Sequence, residues 1–476
     1  MSEHVPLILV DNSRLRSETV CKRARFHEYH DGPTGYGIRL KRLAMPLVTG
    51  IAVHRGLAKI LQWSLTNGEG RKLPPRDTTR EIIGGVIYGY YKKCESQGFV
   101  GVADEYQQKT LREQVSLLEG MLWGSYRMLL PNVLREHRVI RVELEGLVIP
   151  TGCTCGLGDL VPPHAAHEAR GCDATGIMSK PDVVLQRLTD STLLNMDFKS
   201  GGDVAGFQWA EQQNQGMQFA LQCAGLRMAG IQVEETLVAG LNKGWRIAAK
   251  EEDPDTGKLR VTVESARDRR QDSIFCYAWR KPANLPMILE EWRASYKFKE
   301  IGRGGKLESK TVKGAGFDRA PIWEANFAGK PKDWTVLEYW VETLPIEILE
   351  KEFRIAGPFK TPVHKLESIL RTVAQNGKDW KRALWLIHQA REAAGWDNSS
   401  AEVQATLDRV VPQSWACIQY KNQCQFRGIC DRNEGWEAPL GTGRFELRSP
   451  HHSVEAEQAK ARGIELPAEQ EEDEDE

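Results

Sequence analysis

The 476-residue chain has no run of 18 consecutive apolar residues, so a membrane-spanning helix is not expected. A short apolar stretch follows the first residues, but no basic residue precedes it, so no secretory signal is expected and the expected compartment is the cytoplasm. No repeat of solenoid period is visible. An excess of either charge is missing too: 64 Lys and Arg stand against 65 Asp and Glu. The composition excludes the collagenous and wholly disordered classes. What remains is a chain long enough for a sizeable core, with a soft prior of about three domains.

The neutral total hides an asymmetry. Glu469 to Glu476 reads EQEEDEDE, and without its seven acids the body carries an excess of positive charge. A basic body suits a polyanion-binding protein whose acidic tail competes for the same surface, and a merely solubilising tail fits equally. Cysteines fall at 21, 94, 153, 155, 172, 223, 276, 417, 424 and 430. Disulfides do not persist in a reducing compartment, so clustered cysteines point to metal or reactive thiols. Cys94, Cys223 and Cys276 sit among apolar neighbours and read as core thiols.

Helical spacing runs from about Gly50 to residue 65, and two amphipathic patterns occupy 77–130. Val139–Ile149 alternates as a strand does, Ile177–Leu188 and Ser191–Phe198 read as two more strands, Glu211–Ala229 as a helix and Glu235–Gly240 as a further strand. Residues 336–411 return to helical spacing, and beyond Gly435 apolar residues are so few that disorder is expected.

The strands at 177–199 carry the chemistry. Side chains alternate along a strand, so Asp197 and Lys199 share one face and Phe198 points to the other. If the strands pair as a hairpin, Asp182 lies beside Asp197. Two adjoining carboxylates stay ionised cheaply only with a cation between them, and a hard divalent ion with oxygen ligands is the natural occupant. Lys199 would orient a water or stabilise developing negative charge. That set suits metal-assisted phosphodiester hydrolysis.

Lys180-Pro-Asp-Val-Val-Leu185 followed by Met196-Asp-Phe-Lys-Ser-Gly-Gly202 resembles the PD-(D/E)XK nuclease signature. Gly50-Ile-Ala-Val-His54 is similar to the Gly-x-x-x-His motif of its RecB-like branch, and Gln215-Gly-Met-Gln-Phe219 to its Gln-x-x-x-Tyr motif, with Phe219 in place of the tyrosine. The resemblance covers roughly residues 10–245 and 415–432. It implies an α/β restriction-endonuclease-like core, a central mixed sheet flanked by helices; periodicity and composition add a largely helical insertion and a disordered acidic tail. It implies a metal shell of His54, Asp182, Asp197 and the Phe198 carbonyl for Mg²⁺ or Mn²⁺, with Lys199 assisting the attacking water and Gln215 positioning substrate or Lys199. The imidazole shifts preference toward Mn²⁺.

Cys417, Cys424 and Cys430 close the chain's cysteine list, with Cys21 far upstream. This set resembles the AddB-type iron–sulfur nucleases, where one early and three late cysteines hold a 4Fe–4S cluster. The Cys424–Cys430 spacing matches, but Lys421 stands where the commoner form has its third-from-last cysteine, and here Cys417 lies further upstream. Zinc fits four thiolates equally well by charge and geometry. Cys153, Cys155, His164, His167 and Cys172 share one loop and form a second, irregular set with zinc-ligand chemistry, for which a plain polar loop is the simpler account.

Arg267, Arg269, Arg270, Lys297, Lys299, Arg303, Lys306, Lys310 and Lys313 alternate with Trp279, Trp292, Tyr296 and Phe298, a pattern suited to phosphates and unstacked bases. The expected layout is a nuclease core at 1–245, a basic and helical insertion at 246–411, a cysteine clasp at 412–434 and a tail at 435–476. The expected protein is a metal-dependent deoxyribonuclease, an exonuclease of phage or mobile-element type acting in DNA processing, recombination or repair. Its expected partners are DNA and a helicase or single-strand annealing protein, with no membrane. The alternative is a non-catalytic DNA-binding or assembly protein on a nuclease-like fold.

Overall fold

The computed structural model describes residues 9–40, 45–96, 105–144, 147–151, 175–201, 217–228, 230–243, 250–252, 259–261, 297–301, 307–311, 336–344, 346–414, 424–432, 435–450, 452–461 and 463–464. The chain opens with β1 (Leu9–Val10), α1 (Asn12–Val20), α2 (Lys22–Tyr29) and β2 (Ile38–Leu40). Three long helices follow, α3 (Met45–Asn67), α4 (Arg76–Ser96) and α5 (Glu105–Gly124), the last running through a π-helical turn at Ser125–Leu129 into α6 (Leu130–Glu136). Next come β3 (His137–Val142), β4 (Leu147–Thr151), β5 (Thr175–Ser179), β6 (Val183–Arg187), β7 (Leu193–Gly201), α7 (Met217–Met228) and β8 (Glu235–Asn242). Strands β9 (Lys250–Glu252) and β10 (Leu259–Val261) pair with each other, as do β11 (Lys297–Ile301) and β12 (Leu307–Thr311). The remainder is α8 (Val336–Thr343), α9 (Ile346–Glu352), β13 (Phe353–Lys360), α10 (Val363–Ala393), α11 (Ala401–Val410), α12 (Arg427–Arg432), α13 (Glu437–Gly441), β14 (Phe445–Leu447) and α14 (Ser453–Ala461).

A five-stranded mixed sheet in the order β13-β8-β7-β6-β3 organises these elements. The β7–β8 pair is parallel and the other three are antiparallel. Period-2 alternation sorts the sheet's side chains onto its two faces. Val183, Leu185, Leu194, Met196 and Phe198 enter one core with Val53, Leu57, Ile60 and Leu61 of α3 and Leu117, Leu118 and Met121 of α5. Val184, between two of those residues, enters the opposite core with Ala220, Leu221 and Ala224 of α7 and Val373, Trp380 and Leu407 beyond them. On α3 the apolar positions fall at i, i+4, i+7 and i+8, one helical stripe. The result is an α/β architecture with helices on both faces of the sheet. Among the described residues, no helix is long and apolar enough to cross a membrane.

Several expectations need correction. The strand expected over Val139–Ile149 is two strands in different sheets: β3 joins the central sheet, and β4 joins β5 and β1. The break falls where Glu143 takes a positive φ of 40° and its N–H donates to Asp182 O at 2.8 Å. Likewise Ile177–Leu188 splits at Lys180-Pro181-Asp182, because Pro181 has no N–H for a ladder. Residues 336–411, expected within an insertion, contain β13, which completes the core sheet against β8. Segments 435–450 and 452–461 are structured where their composition implied disorder. Strand β14 pairs with β2, and Arg14 Nη2 donates to Glu455 Oε1 at 2.5 Å in a buried ion pair. A buried guanidinium needs such a partner, which ties the polar segment down without many apolar side chains. The acidic run at 469–476 lies outside the described residues.

Candidate active site

The β6–β7 hairpin has the register Val183↔Met196, which sets Asp182 opposite Asp197 at the mouth of the pair. Asp182 Oδ2 accepts the Phe198 backbone N–H at 2.7 Å, locking its carboxylate across the strand gap. His54, midway along α3, brings Nδ1 to 3.5 Å from the same oxygen. Its ring meets Phe198 edge-on, with 6.1 Å between centroids. The α3 stripe that packs on Met196 and Phe198 therefore also aims His54 at the end of the hairpin.

On the other face of β7, Asp197 and Lys199 point toward α7. Lys199 Nζ lies 2.5 Å from Asp197 Oδ2. Gln218 bridges the two: its Oε1 accepts from Lys199 Nζ at 3.0 Å and its Nε2 donates to Asp197 Oδ1 at 2.9 Å. One helical turn on, Gln222 Nε2 donates to the same Oδ1 at 2.9 Å while its Oε1 accepts from Asn195 Nδ2 at 2.8 Å. Asp197 is 1% exposed.

The two carboxylates are driven apart electrostatically. Burial raises the Asp197 pKa above the ordinary carboxylate value, and the charge of Asp182 adds to that, against the opposing pull of Lys199 and Gln222. Burial also opposes ionisation of Asp182, but the hydrogen bond and charge of His54, with the Phe198 N–H, hold it below the ordinary range. His54 is the counterpart: burial disfavours its cation, and Asp182 outweighs burial and raises its pKa.

The structure thus brings together His54, Asp182, Asp197, the Phe198 backbone and Lys199. Gln215 lies outside the described residues; Gln218 and Gln222 are the α7 glutamines that reach Asp197. Their i, i+4 spacing puts both on one helix face, but Gln208 and Gln212 share that spacing, so the sequence alone does not single them out. An imidazole nitrogen with two carboxylates is a donor set that fits Mg²⁺ or, better, Mn²⁺ in kind. Among the described residues, no three His, Cys, Asp or Glu side chains converge as a metal-holding group.

At a second locus, Cys21 from near one end of the chain lies close to Cys424 from near the other. Cys21, the residue between α1 and α2, is buried, as is Cys430 on α12, and Cys424 is half-buried. Burial raises the Cys424 thiol pKa, and the nearby Cys21 raises it further. Ser414 Oγ donates to Val20 O at 2.7 Å, and Gln413 Nε2 to Cys430 O at 3.1 Å, so the two chain segments are stitched around these thiols. Cys430 Sγ lies 3.8 Å from His27 Nε2. His27 Nδ1 in turn contacts Asp31 Oδ2 at 2.7 Å, and Arg391 Nη2 donates to Asp31 Oδ1 at 2.6 Å. Cys417 lies outside the described residues, as does the set Cys153, Cys155, His164, His167 and Cys172. Of the basic and aromatic residues at 267–313, Lys297, Phe298 and Lys299 fall on β11 and Lys310 on β12, with Phe298 paired to Lys310; Arg267, Arg269, Arg270, Trp279, Trp292, Tyr296, Arg303, Lys306 and Lys313 lie outside the described residues.

No protein-family model matches the chain, and no curated protein matches it.

Proposed function

We propose that the chain is a metal-dependent deoxyribonuclease, an exonuclease of the RecB-like PD-(D/E)XK type serving DNA processing, recombination or repair. The observation that carries this reading is the hairpin mouth, where Asp182 and Asp197 face each other with Lys199 and His54 beside them. A divalent ion at this donor set, Mg²⁺ or Mn²⁺, supplies Lewis-acid polarisation of a phosphoryl oxygen and a more acidic bound water. The ligands would be His54 Nδ1, the two carboxylates and the Phe198 carbonyl.

The chain's own groups do the rest. Lys199 places a positive charge where an attacking water and the developing phosphoryl charge must sit. Gln218 fixes that ammonium relative to Asp197, and Gln222 with Asn195 fixes Asp197 relative to α7. His54 holds Asp182 ionised. At the second locus, Cys21, Cys424 and Cys430 with Cys417 would hold a 4Fe–4S cluster, or zinc, pinning the N-terminal helices to the C-terminal segment. DNA is the proposed substrate, and a helicase or single-strand annealing protein the proposed partner.

The test is cleavage of end-labelled linear and circular DNA, single- and double-stranded, with Mg²⁺ or Mn²⁺ after anaerobic purification. Degradation by wild type of linear DNA alone, abolished in Lys199→Ala, is the expected result. Intact DNA with both proteins, still bound by them, would replace this reading with a non-catalytic DNA-binding protein.

A further inference from the structure

Gly50 stands inside α3, where glycine costs roughly 1 kcal/mol against alanine. The reason lies across the helix–sheet boundary. A Cβ at position 50 would come within 3.1 Å of Ser200 Oγ and 3.3 Å of Lys243 Nζ. Both residues belong to the ends of adjacent parallel strands. Ser200 is the penultimate residue of β7, and Lys243 follows β8 directly, its backbone N–H donating to Gly201 O at 2.8 Å. In open α/β sheets the carboxyl ends of parallel strands are where ligands collect.

Alternation places Ser200 on the α3 side of β7 and Lys199 on the α7 side. Gly50 and His54 are four residues apart and share one face of α3. Gly50, beside which the Lys243 ammonium lies, is four residues, about 6 Å of rise, along α3 from the residue that contacts Asp182. That step is comparable to the spacing of neighbouring phosphates on a nucleic-acid strand. Burial lowers the Lys243 pKa.

We propose that Lys243 Nζ and Ser200 Oγ, seated in the notch that Gly50 leaves on α3, form a second phosphate subsite. It holds the phosphodiester adjoining the one at Asp182 and Asp197. The proposal rests on the nuclease reading and extends it: Lys243 is a positioning residue that sets where the strand lies, and Gly50 is small because the ammonium must approach the helix.

The experiment uses the full chain with labelled single-stranded and duplex oligonucleotides in EDTA, titrated over a range of KCl. Lys243→Gln is expected to weaken binding about tenfold at low salt. It should also flatten the slope of log K against log salt by about 0.7 on single strands and 0.9 on duplex, the loss of one phosphate contact. Lys243→Arg keeps the slope, and Gly50→Ala weakens binding by displacing the ammonium. In turnover with Mn²⁺, Lys243→Gln raises KM more than it lowers kcat. Matched thermal unfolding of each variant excludes a folding defect. A Lys243→Gln slope equal to wild type, or a loss confined to kcat, overturns the subsite while leaving a wild-type nuclease standing. Wild type that neither binds nor cuts DNA overturns both readings.

Discussion

Replacing Gln218 by leucine tests whether the site depends on how its lysine is held. Gln218 bridges Lys199 and Asp197 beside their direct ion pair, accepting from one at 3.0 Å and donating to the other at 2.9 Å. Leucine keeps most of the volume and removes both hydrogen bonds. A hydrogen bond to a charged group is worth roughly 1.5–3 kcal/mol. If Gln218 steadies Lys199 chiefly as charge develops on the phosphoryl group, that whole amount falls on the barrier. At about 1.4 kcal/mol per decade, kcat for linear DNA drops about 10- to 100-fold. KM should stay near the wild-type value, because Gln218 touches the lysine and carboxylate and not the proposed phosphate subsite. The assay is single-turnover release of an end label with saturating Mn²⁺, together with a urea unfolding curve. A kcat within twofold of wild type, or a loss expressed wholly in KM, would refute the positioning argument. Gln222→Leu serves as the contrast. Gln222 is buried and also accepts from Asn195, so that variant loses stability as well as rate.

Three other outcomes can be checked. Burial alone would raise Asp31, but the His27 hydrogen bond and Arg391 bring its pKa to about 2. Its folded value is below its unfolded one, so its contribution, roughly 2 kcal/mol at neutral pH, is present above about pH 3.8 and lost as pH falls toward 2. The gap in urea midpoint between wild type and Asp31→Asn should therefore narrow between pH 5 and pH 2.5, and a gap constant over that range counts against the account. Glu455→Ala removes the nearer of two acidic partners of the buried Arg14 guanidinium and leaves Asp11 at 3.5 Å, so stability should fall by up to about 3 kcal/mol; the double variant Arg14→Met with Glu455→Met should recover part of it, and a silent single variant would show that segment 452–461 does not dock. Anaerobically purified wild type should carry iron and acid-labile sulfide that Cys21→Ser loses; zinc in their place would reassign the thiol locus.

How much of this was readable depends on whether a feature is local. The amphipathic patterns at 77–130 mark α4 and α5, since helical periodicity is a property of a short window. The Asp182–Asp197–Lys199 grouping was also readable, because a tight hairpin fixes its own register. Strand β13 was not. Its centre, Ala356-Gly-Pro-Phe359, has the residues of a turn. Only pairing with β8 makes it a strand, with a register shift at that point and Gly357 at a φ of +105°, where a Cβ would come within 2.7 Å of Thr236 O. Among six glutamines between 208 and 222, the pattern pointed to Gln215, and the choice of Gln218 and Gln222 as partners of Asp197 depends on the helix phase. Lys243 had no motif at all. Its place follows from the parallel pairing of β7 with β8, a contact between residues some forty positions apart.

The position of β13 in the chain also has a consequence for synthesis. Every residue of β8 is buried in the finished sheet, yet its neighbour on that side, β13, begins only at Phe353. On a ribosome adding about 5–20 residues per second, the stretch between them takes roughly 5–20 s to emerge. During that interval a β7–β8 ladder can form while the outer rim of β8 offers open N–H and C=O groups to any strand nearby. Completion reverses the hazard. Pro358 on the last strand donates no hydrogen bond, and edge prolines are among the devices that keep sheets from recruiting further strands. The growing chain therefore passes through a window in which it is prone to associate, and the arrival of β13 ends it.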